Sequence, residues 1–85
     1  MNKLFTDEAW KDYVYWMEHN EQILQKINRL IKEIERAPFQ GIGKPEGLRY
    51  SLQGFWSRRI DAEHRLVYKV EDDSLIIVSC RYHYT

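Results

Sequence analysis

The chain has 85 residues, of which 44% are hydrophobic and 14% aromatic, so it can fold as one domain over residues 1–85 and is not intrinsically disordered. Thirteen basic and thirteen acidic residues cancel, and the overall charge therefore does not identify a nucleic-acid-binding protein. Cys80 is the one cysteine, which excludes an intrachain disulfide and indicates a reducing compartment. Since no stretch is long and apolar enough to span a membrane and no apolar leader opens the chain, we expect a cytoplasmic protein with no membrane partner.

The first half of the chain predicts a short strand followed by two helices. Residues 3–5 have strand character, and Thr6 and Asn20 are suitable N-caps for the helices that follow them. Each helix carries apolar residues at helical spacing, and we expect these stripes to face the core. The stripes are Trp10, Tyr13, Val14 and Met17 in the first helix, and Ile23, Ile27, Leu30, Ile31 and Ile34 in the second.

The second half predicts a loop and a sheet. Pro38 ends the second helix, and residues 39–48 form a glycine-rich loop that lacks the Gly-Lys-Ser/Thr ending of a phosphate-binding P-loop. Residues 49–52, 55–60, 65–70 and 75–82 then predict four short strands. Their short connections require antiparallel neighbours. We therefore expect an α+β fold, with an N-terminal helical hairpin packed on one face of a mostly antiparallel sheet and a solvated binding surface on the other.

Four side chains could together cleave RNA without a metal ion. A carboxylate, Glu46, could take the proton from a ribose 2′-OH, and a cation, Arg65, could stabilise the charged phosphorane. His83 could protonate the departing 5′-oxygen, and Tyr84 could hydrogen-bond a phosphate or stack on a base. Each residue also has a simpler explanation, because a terminal His is often structural and a strand Arg is often only solvated. His64 we interpret as a turn residue.

The register of the last hairpin decides whether this set can assemble. If Val70 pairs with Leu75, Arg65 falls opposite Cys80, whereas a slip of one residue places Arg65 on the face of His83. We predict the slipped register, or a bulge equivalent to it. Arg58 and Arg59 are adjacent in a strand, so their side chains should point to opposite faces.

Four segments in order give the chain a family resemblance. Residues 43–49 (GKPEGLR), 52–60 (LQGFWSRRI), 63–68 (EHRLVY) and 80–84 (CRYHY) resemble the YoeB/Txe toxins of the RelE/ParE-like superfamily, which has a microbial-RNase-like fold. The resemblance covers essentially the whole chain. Two departures stand out: Gly47 replaces an expected proline after the glutamate, which could loosen that loop, and Thr85 adds one residue after Tyr84.

The resemblance implies an activity and a division of roles. Toxins of this family are ribosome-dependent endoribonucleases that cut the messenger in the A site, and they need no metal or other cofactor. Carried over to this sequence, Glu46 is the general base, His83 is the general acid, Arg65 stabilises the phosphate and Tyr84 orients the substrate. The basic residues that would contact ribosomal RNA or the messenger backbone are Lys44, Arg49, Arg58 and Arg59.

The resemblance also implies partners. A cognate antitoxin similar to YefM would fold onto the toxin, the pair would bind operator DNA together, and the toxin would form a homodimer. We expect two aromatic side chains off the main helix stripe, Tyr15 and Trp16, to be exposed and to be candidate contacts for these partners. Two alternatives to the nuclease remain: a non-enzymatic toxin of the same fold that inhibits DNA gyrase, and an interaction module whose charged sheet face binds a protein.

Overall fold

Two helices cover one face of a five-stranded sheet in a computed structural model that describes residues 1–83. The sheet order is β1-β5-β4-β3-β2; β1 runs parallel to β5 and the other pairs are antiparallel. The predicted α+β class is therefore confirmed. The elements are β1 (Asn2–Phe5), α1 (Asp7–His19), α2 (Glu21–Arg36), β2 (Glu46–Gly47), a 3₁₀ turn (Tyr50–Leu52), β3 (Trp56–Arg59), β4 (Arg65–Glu71) and β5 (Ser74–Ser79).

Both helices begin where the sequence predicts. The Thr6 hydroxyl accepts a hydrogen bond from the Ala9 N–H at 3.1 Å, and the Asn20 side-chain oxygen accepts one from the Ile23 N–H at 3.2 Å. Each bond satisfies a backbone donor that the first turn of a helix leaves without a partner. The stripe predicted for α2 is confirmed, since its central members are buried against the sheet: Ile27, Leu30, Ile31 and Ile34.

The predicted core face of α1 is wrong at Trp10 and Met17, whereas Tyr13 is half-buried and packs against the core. Trp10 and Met17 are each 52% exposed, and the buried residues of this helix are instead Ala9, Asp12 and Trp16. Residues 13–17 are all apolar or aromatic, so helical periodicity alone does not select one face. The prediction that Trp16 is exposed is corrected by the same observation.

One predicted strand is a turn. Residues 49–52 do not extend, because the Leu52 N–H donates to the Arg49 carbonyl and the Gln53 N–H to the Tyr50 carbonyl, the spacing of a 3₁₀ turn. Tyr50 has a φ of +59°, which no strand residue adopts. The strand on this side is the shorter β2, inside the predicted loop, and it pairs with β3.

The predicted register shift is confirmed in its bulged form. The hairpin starts with Val70 opposite Leu75, but Tyr68 pairs with Ile77 while Val67 pairs with Ser79. Val78 is therefore an extra residue in β5, and every later residue of the chain moves one position along β4. The strand also ends earlier than predicted, at Ser79 instead of Tyr82.

Candidate active site

Paired residues form a row across the sheet that leads from Glu46 towards the end of the chain. Glu46 pairs with Ser57, Ser57 with Val67, and Val67 with Ser79. Directly paired residues point to the same face of a sheet, and alternate residues of one strand share that face. Arg59 and Arg65, which pair with each other, therefore lie on the face of Glu46. Leu66, Tyr68 and Ile77 occupy the other face, in the core with the helices.

This row sets the scale of the site. Neighbouring strands are about 4.8 Å apart, so the backbones at Glu46 and Val67 are separated by roughly 10 Å. The Arg65 side chain starts two residues along β4 from Val67. Glu46 and Arg65 therefore lie on one face of the sheet, on two strands that are separated by β3. The sequence predicted this pair, and the structure brings them to a common face.

Glu46 lies on the rim of a shallow pocket. The pocket encloses about 290 Å³ and is lined by residues 46–52, which include Arg49 and Tyr50. Glu46 is exposed and belongs to β2, the edge strand of the sheet. The alternation of the β2–β3 ladder directs its side chain to the face opposite the helices. The carboxylate is therefore accessible to a ligand from solvent.

Arg65 is anchored at the start of β4. Its side chain is only 8% exposed, and Nη1 donates to the Asp61 carbonyl at 2.9 Å and to the His64 carbonyl at 3.1 Å. These bonds hold the guanidinium to the turn before the strand, so its orientation is defined in the absence of a ligand. A cation held in this way can stabilise a negative charge without first losing side-chain freedom.

His83 lies beyond the sheet, four residues after the end of β5, and is exposed. The chain reaches it through Tyr82, which has a φ of +64° and whose carbonyl accepts from the Arg65 N–H at 3.0 Å. His83 therefore follows directly after a residue that is bonded to β4. Tyr84, the fourth predicted member of the set, lies outside the described residues.

Three of the four predicted RNA-contacting residues are exposed: Lys44, Arg49 and Arg59. Arg58 is different, because its side chain is 0% exposed. The prediction that Arg58 and Arg59 point to opposite faces is confirmed, and the prediction that Arg58 contacts RNA is corrected. A guanidinium without exposed surface does not reach an RNA backbone.

Arg58 instead ties the loop after α2 to the sheet. Its Nη2 donates to the Ala37 and Gln40 carbonyls at 2.6 and 2.8 Å, and its Nη1 donates to the Ile42 carbonyl at 3.1 Å. Its Nε donates to the Tyr68 hydroxyl at 3.2 Å. Burial raises the pKa of Tyr68, and the neighbouring Arg58 cation opposes that rise. The network gives the buried cation four oxygen acceptors.

Sequence reasoning missed the residues that hold the end of the chain. His64 is 8% exposed, and its Nδ1 accepts from the Tyr82 N–H at 2.7 Å, so it is not merely a turn residue. Asp61 makes the turn, because its side-chain oxygen accepts from the Glu63 and His64 N–H groups. A carboxylate two and three residues before these donors is a recognisable turn pattern, and it would have placed His64 at the end of the turn, directly before the strand.

The described part of the chain offers neither a metal-binding cluster nor a membrane-spanning helix. Within residues 1–83, no group of three or more His, Cys, Asp or Glu side chains is placed to hold a metal ion. None of the helices in that part is long and apolar enough to cross a membrane.

Comparisons with known proteins agree over nearly the whole chain. A family model described as "YoeB-like toxin of bacterial type II toxin-antitoxin system" matches residues 5–84. The toxin YoeB of Escherichia coli strain K12 is 58% identical over 84 residues, which cover 99% of this chain and 100% of that protein. The toxin YoeB of Streptomyces coelicolor is 56% identical with the same coverage of both chains.

Solved structures give the same relationship. The YoeB/ParE toxin from Agrobacterium tumefaciens is 44% identical and has a TM-score of 0.97, covering 99% of this chain and 100% of that one. A YoeB dimer from Staphylococcus aureus is 47% identical, with a TM-score of 0.93 and coverage of 99% and 98%. A YoeB–YefM complex from the same organism is 48% identical, with a TM-score of 0.92 and the same coverage.

Proposed function

Because this chain belongs to the YoeB family of bacterial type II toxin–antitoxin toxins, we propose that it is a ribosome-dependent endoribonuclease that cuts messenger RNA in the A site and stops translation. The observation that carries the proposal is the row across the sheet. It sets Glu46, Arg59 and Arg65 on the face that the helices leave uncovered.

The proposed chemistry is an internal attack by the ribose. Glu46 takes the proton from the 2′-OH, and the oxygen then attacks the adjacent phosphorus. Arg65 stabilises the added negative charge on the phosphorane, while His83 gives a proton to the departing 5′-oxygen. The products are a 2′,3′-cyclic phosphate and a 5′-hydroxyl. Tyr84 orients the substrate in this account.

The proposed RNA contacts come from the exposed basic residues. Lys44 and Arg49 flank Glu46 along the chain, and Arg59 is paired with Arg65 across the sheet. In this position their cations would neutralise phosphates of the messenger or of ribosomal RNA around the cut. Arg58 has no part in this surface, since it is buried.

We also propose that a YefM-like antitoxin neutralises this chain and that the toxin forms a homodimer. The support is the complex and the dimer of the S. aureus proteins, whose toxin resembles this chain along nearly its full length. Operator DNA is proposed as a ligand of the toxin–antitoxin pair, with no role for the toxin alone.

The test uses purified 70S ribosomes that carry a short end-labelled messenger with a defined codon in the A site. We expect cleavage within that codon only when ribosomes are present, with a cyclic phosphate on the upstream product. A messenger with a single 2′-deoxynucleotide at the cut position should stay intact, because it lacks the nucleophile. Cleavage of the deoxy messenger would contradict the chemistry, and an intact ordinary messenger would contradict the proposed function.

A further inference from the structure

We propose that Asp12, Trp16 and His64 form a cradle that positions His83 for proton transfer, which makes His64 a positioning residue of the site. This inference rests on the proposed function, because it assigns His83 a proton to deliver. It concerns residues 80–82, the segment between the end of β5 and His83. The ladder of β5 ends at Ser79, so its hydrogen bonds do not hold this segment.

Side chains of α1 hold Cys80 at both of its backbone polar groups. The Cys80 N–H donates to Asp12 Oδ2 at 3.0 Å, and Trp16 Nε1 donates to the Cys80 carbonyl at 2.8 Å. Both bonds are buried, and both side chains come from the face of α1 that apolar periodicity did not predict. The position of Cys80 therefore depends on two polar atoms of a helix.

His64, which directly precedes β4, and Arg65, its first residue, hold the backbone of Tyr82 in the same way. Its N–H donates to His64 Nδ1 at 2.7 Å, and its carbonyl accepts from the Arg65 N–H at 3.0 Å. Tyr82 also has a φ of +64°, a conformation that a bulky residue keeps only when its surroundings impose it. The two bonds supply that constraint, and the next residue along the chain is His83.

Arg81 lies between Cys80 and Tyr82, and its side chain contacts aromatic rings on both sides of the cradle. Its guanidinium stacks on the Tyr15 ring with 3.4 Å to the ring centroid, and the Tyr82 ring is 4.5 Å away on the same measure. The His64 and Trp16 rings meet edge to face, with their centroids 4.8 Å apart. The parts of the cradle from α1 and from β4 are thus in direct contact.

The hydrogen bond from Tyr82 also fixes the tautomer of His64. Nδ1 must be without a proton in order to accept, so the proton of the neutral ring is on Nε2, which is 3.6 Å from Oε1 of Glu63. Since a displacement of about 1 Å can slow a catalysed step by roughly a hundredfold, the bond at Nδ1 matters for His83 because it holds the residue directly before it.

Two substitutions of His64 test its hydrogen-bond acceptor and its aromatic ring one at a time. Asn carries a side-chain oxygen near the position of Nδ1 and can accept from Tyr82, whereas Phe keeps a ring against Trp16 but offers no acceptor. Tyr13→Phe is the control, because it removes a side-chain hydrogen bond of 2.7 Å to Asn28 in the helical hairpin, a bond that does not involve residues 80–82. A fourth variant, Trp16→Phe, removes the donor to Cys80 while keeping an aromatic ring.

The experiment measures single-turnover cleavage on programmed ribosomes with toxin in excess, ribosome affinity, and the Tyr82 amide resonance by NMR. We expect His64→Phe to cut at least about tenfold more slowly with unchanged affinity, and to shift the Tyr82 resonance. His64→Asn and Tyr13→Phe should cut within a few-fold of wild type. Cleavage by Trp16→Phe should be at least about tenfold slower as well. This variant tests the cradle independently if His64→Phe does not fold.

The outcomes separate this inference from the proposed function. An inactive wild type contradicts the nuclease itself. An active wild type with full cleavage rates in folded His64→Phe or in Trp16→Phe overturns the cradle and leaves the nuclease standing. Equal slowing of His64→Asn and His64→Phe also overturns it, because an acceptor for the Tyr82 N–H would then not be enough to preserve cleavage.

Discussion

Asp12 is a buried carboxyl group whose protonation state bears on stability. Burial raises its pKa, a rise that is opposed by the hydrogen bond from the Cys80 N–H and by the Arg81 cation. Because the pKa is raised in the folded state, the contribution of Asp12 to stability is complete below its unfolded pKa. That contribution is lost as the pH rises through the folded pKa.

The substitution Asp12→Asn tests this assignment. Asn keeps an acceptor for the Cys80 N–H but does not ionise, so we expect the variant to gain free energy of unfolding relative to wild type as the pH rises from about 4 to 7. Urea unfolding at several pH values measures the difference, with exposed Asp73→Asn as the control. A relative loss for Asp12→Asn over that interval would show that the ionised carboxylate stabilises the fold.

The thiol of Cys80 should be inert in the native protein. Cys80 is 0% exposed, and burial, together with the nearby Asp12 charge, raises the pKa of this thiol to about 12. At pH 8 only about one thiol in ten thousand would be ionised at that pKa, and the thiolate is the reactive form. We expect negligible alkylation by iodoacetamide under native conditions and rapid alkylation in denaturant. Rapid native alkylation would mean that the chain end opens readily.

At the scale of elements, substitutions of the two adjacent arginines of β3 should have different effects, one on stability and the other on ribosome binding. Replacing Arg58 with Met removes the buried donor of part-buried hydrogen bonds to the carbonyls of Ala37, Gln40 and Ile42, and we expect a loss of about 3 kcal/mol or more in the free energy of unfolding. Arg59→Met, at an exposed position, should leave that free energy within about 0.5 kcal/mol and weaken binding to ribosomes.

Denaturant unfolding and ribosome binding by both variants check this contrast. Each variant serves as the control for the other, because both replace an arginine of β3 with methionine. A stable Arg58→Met with weakened binding would restore Arg58 to the RNA-contacting surface.

Gly47 occupies an edge position that should accept the proline expected from the family. The neighbouring Leu48 N–H donates to the Phe55 carbonyl, so the Gly47 N–H points to the opposite side, away from β3. A Cβ at Gly47 would meet the Trp56 ring at 3.6 Å, which is ordinary contact. We therefore expect Gly47→Pro to raise the free energy of unfolding by about 0.4–1 kcal/mol by restricting the unfolded chain. A clear fall in the melting temperature would contradict this.

The sequence predicted those helices and strands that are determined by residues close to one another along the chain. The α2 stripe, both N-caps, β3 and β4 follow from periodicity and capping chemistry, which act within a few residues. The face of α1 and the end of β5 depend on bonds between Asp12 or Trp16 and Cys80, which are more than sixty residues away along the chain. No periodic pattern carries that information.

At the scale of the whole molecule, the bulge in β5 links the sheet to the candidate site. It adds Val78 to the strand and thereby lets the chain beyond Ser79 meet the start of β4 at Arg65. The sequence indicated that such a shift was needed, because adjacent strand residues face opposite ways. The cradle around residues 80–82 could not be predicted, since it combines side chains of α1 with His64, the residue directly before β4.

The most direct test of the central claim is primer extension on a reporter messenger in purified translating ribosomes. The proteins compared are wild type, His83→Gln and the matched control His19→Gln, which changes another exposed histidine at the end of α1. We predict cuts at the A-site codon with wild type and His19→Gln, and a loss of those cuts with His83→Gln at an unchanged melting temperature. Cuts that persist in His83→Gln would contradict its role as the general acid, and arrest of growth by a wild type that makes no cuts would contradict the nuclease.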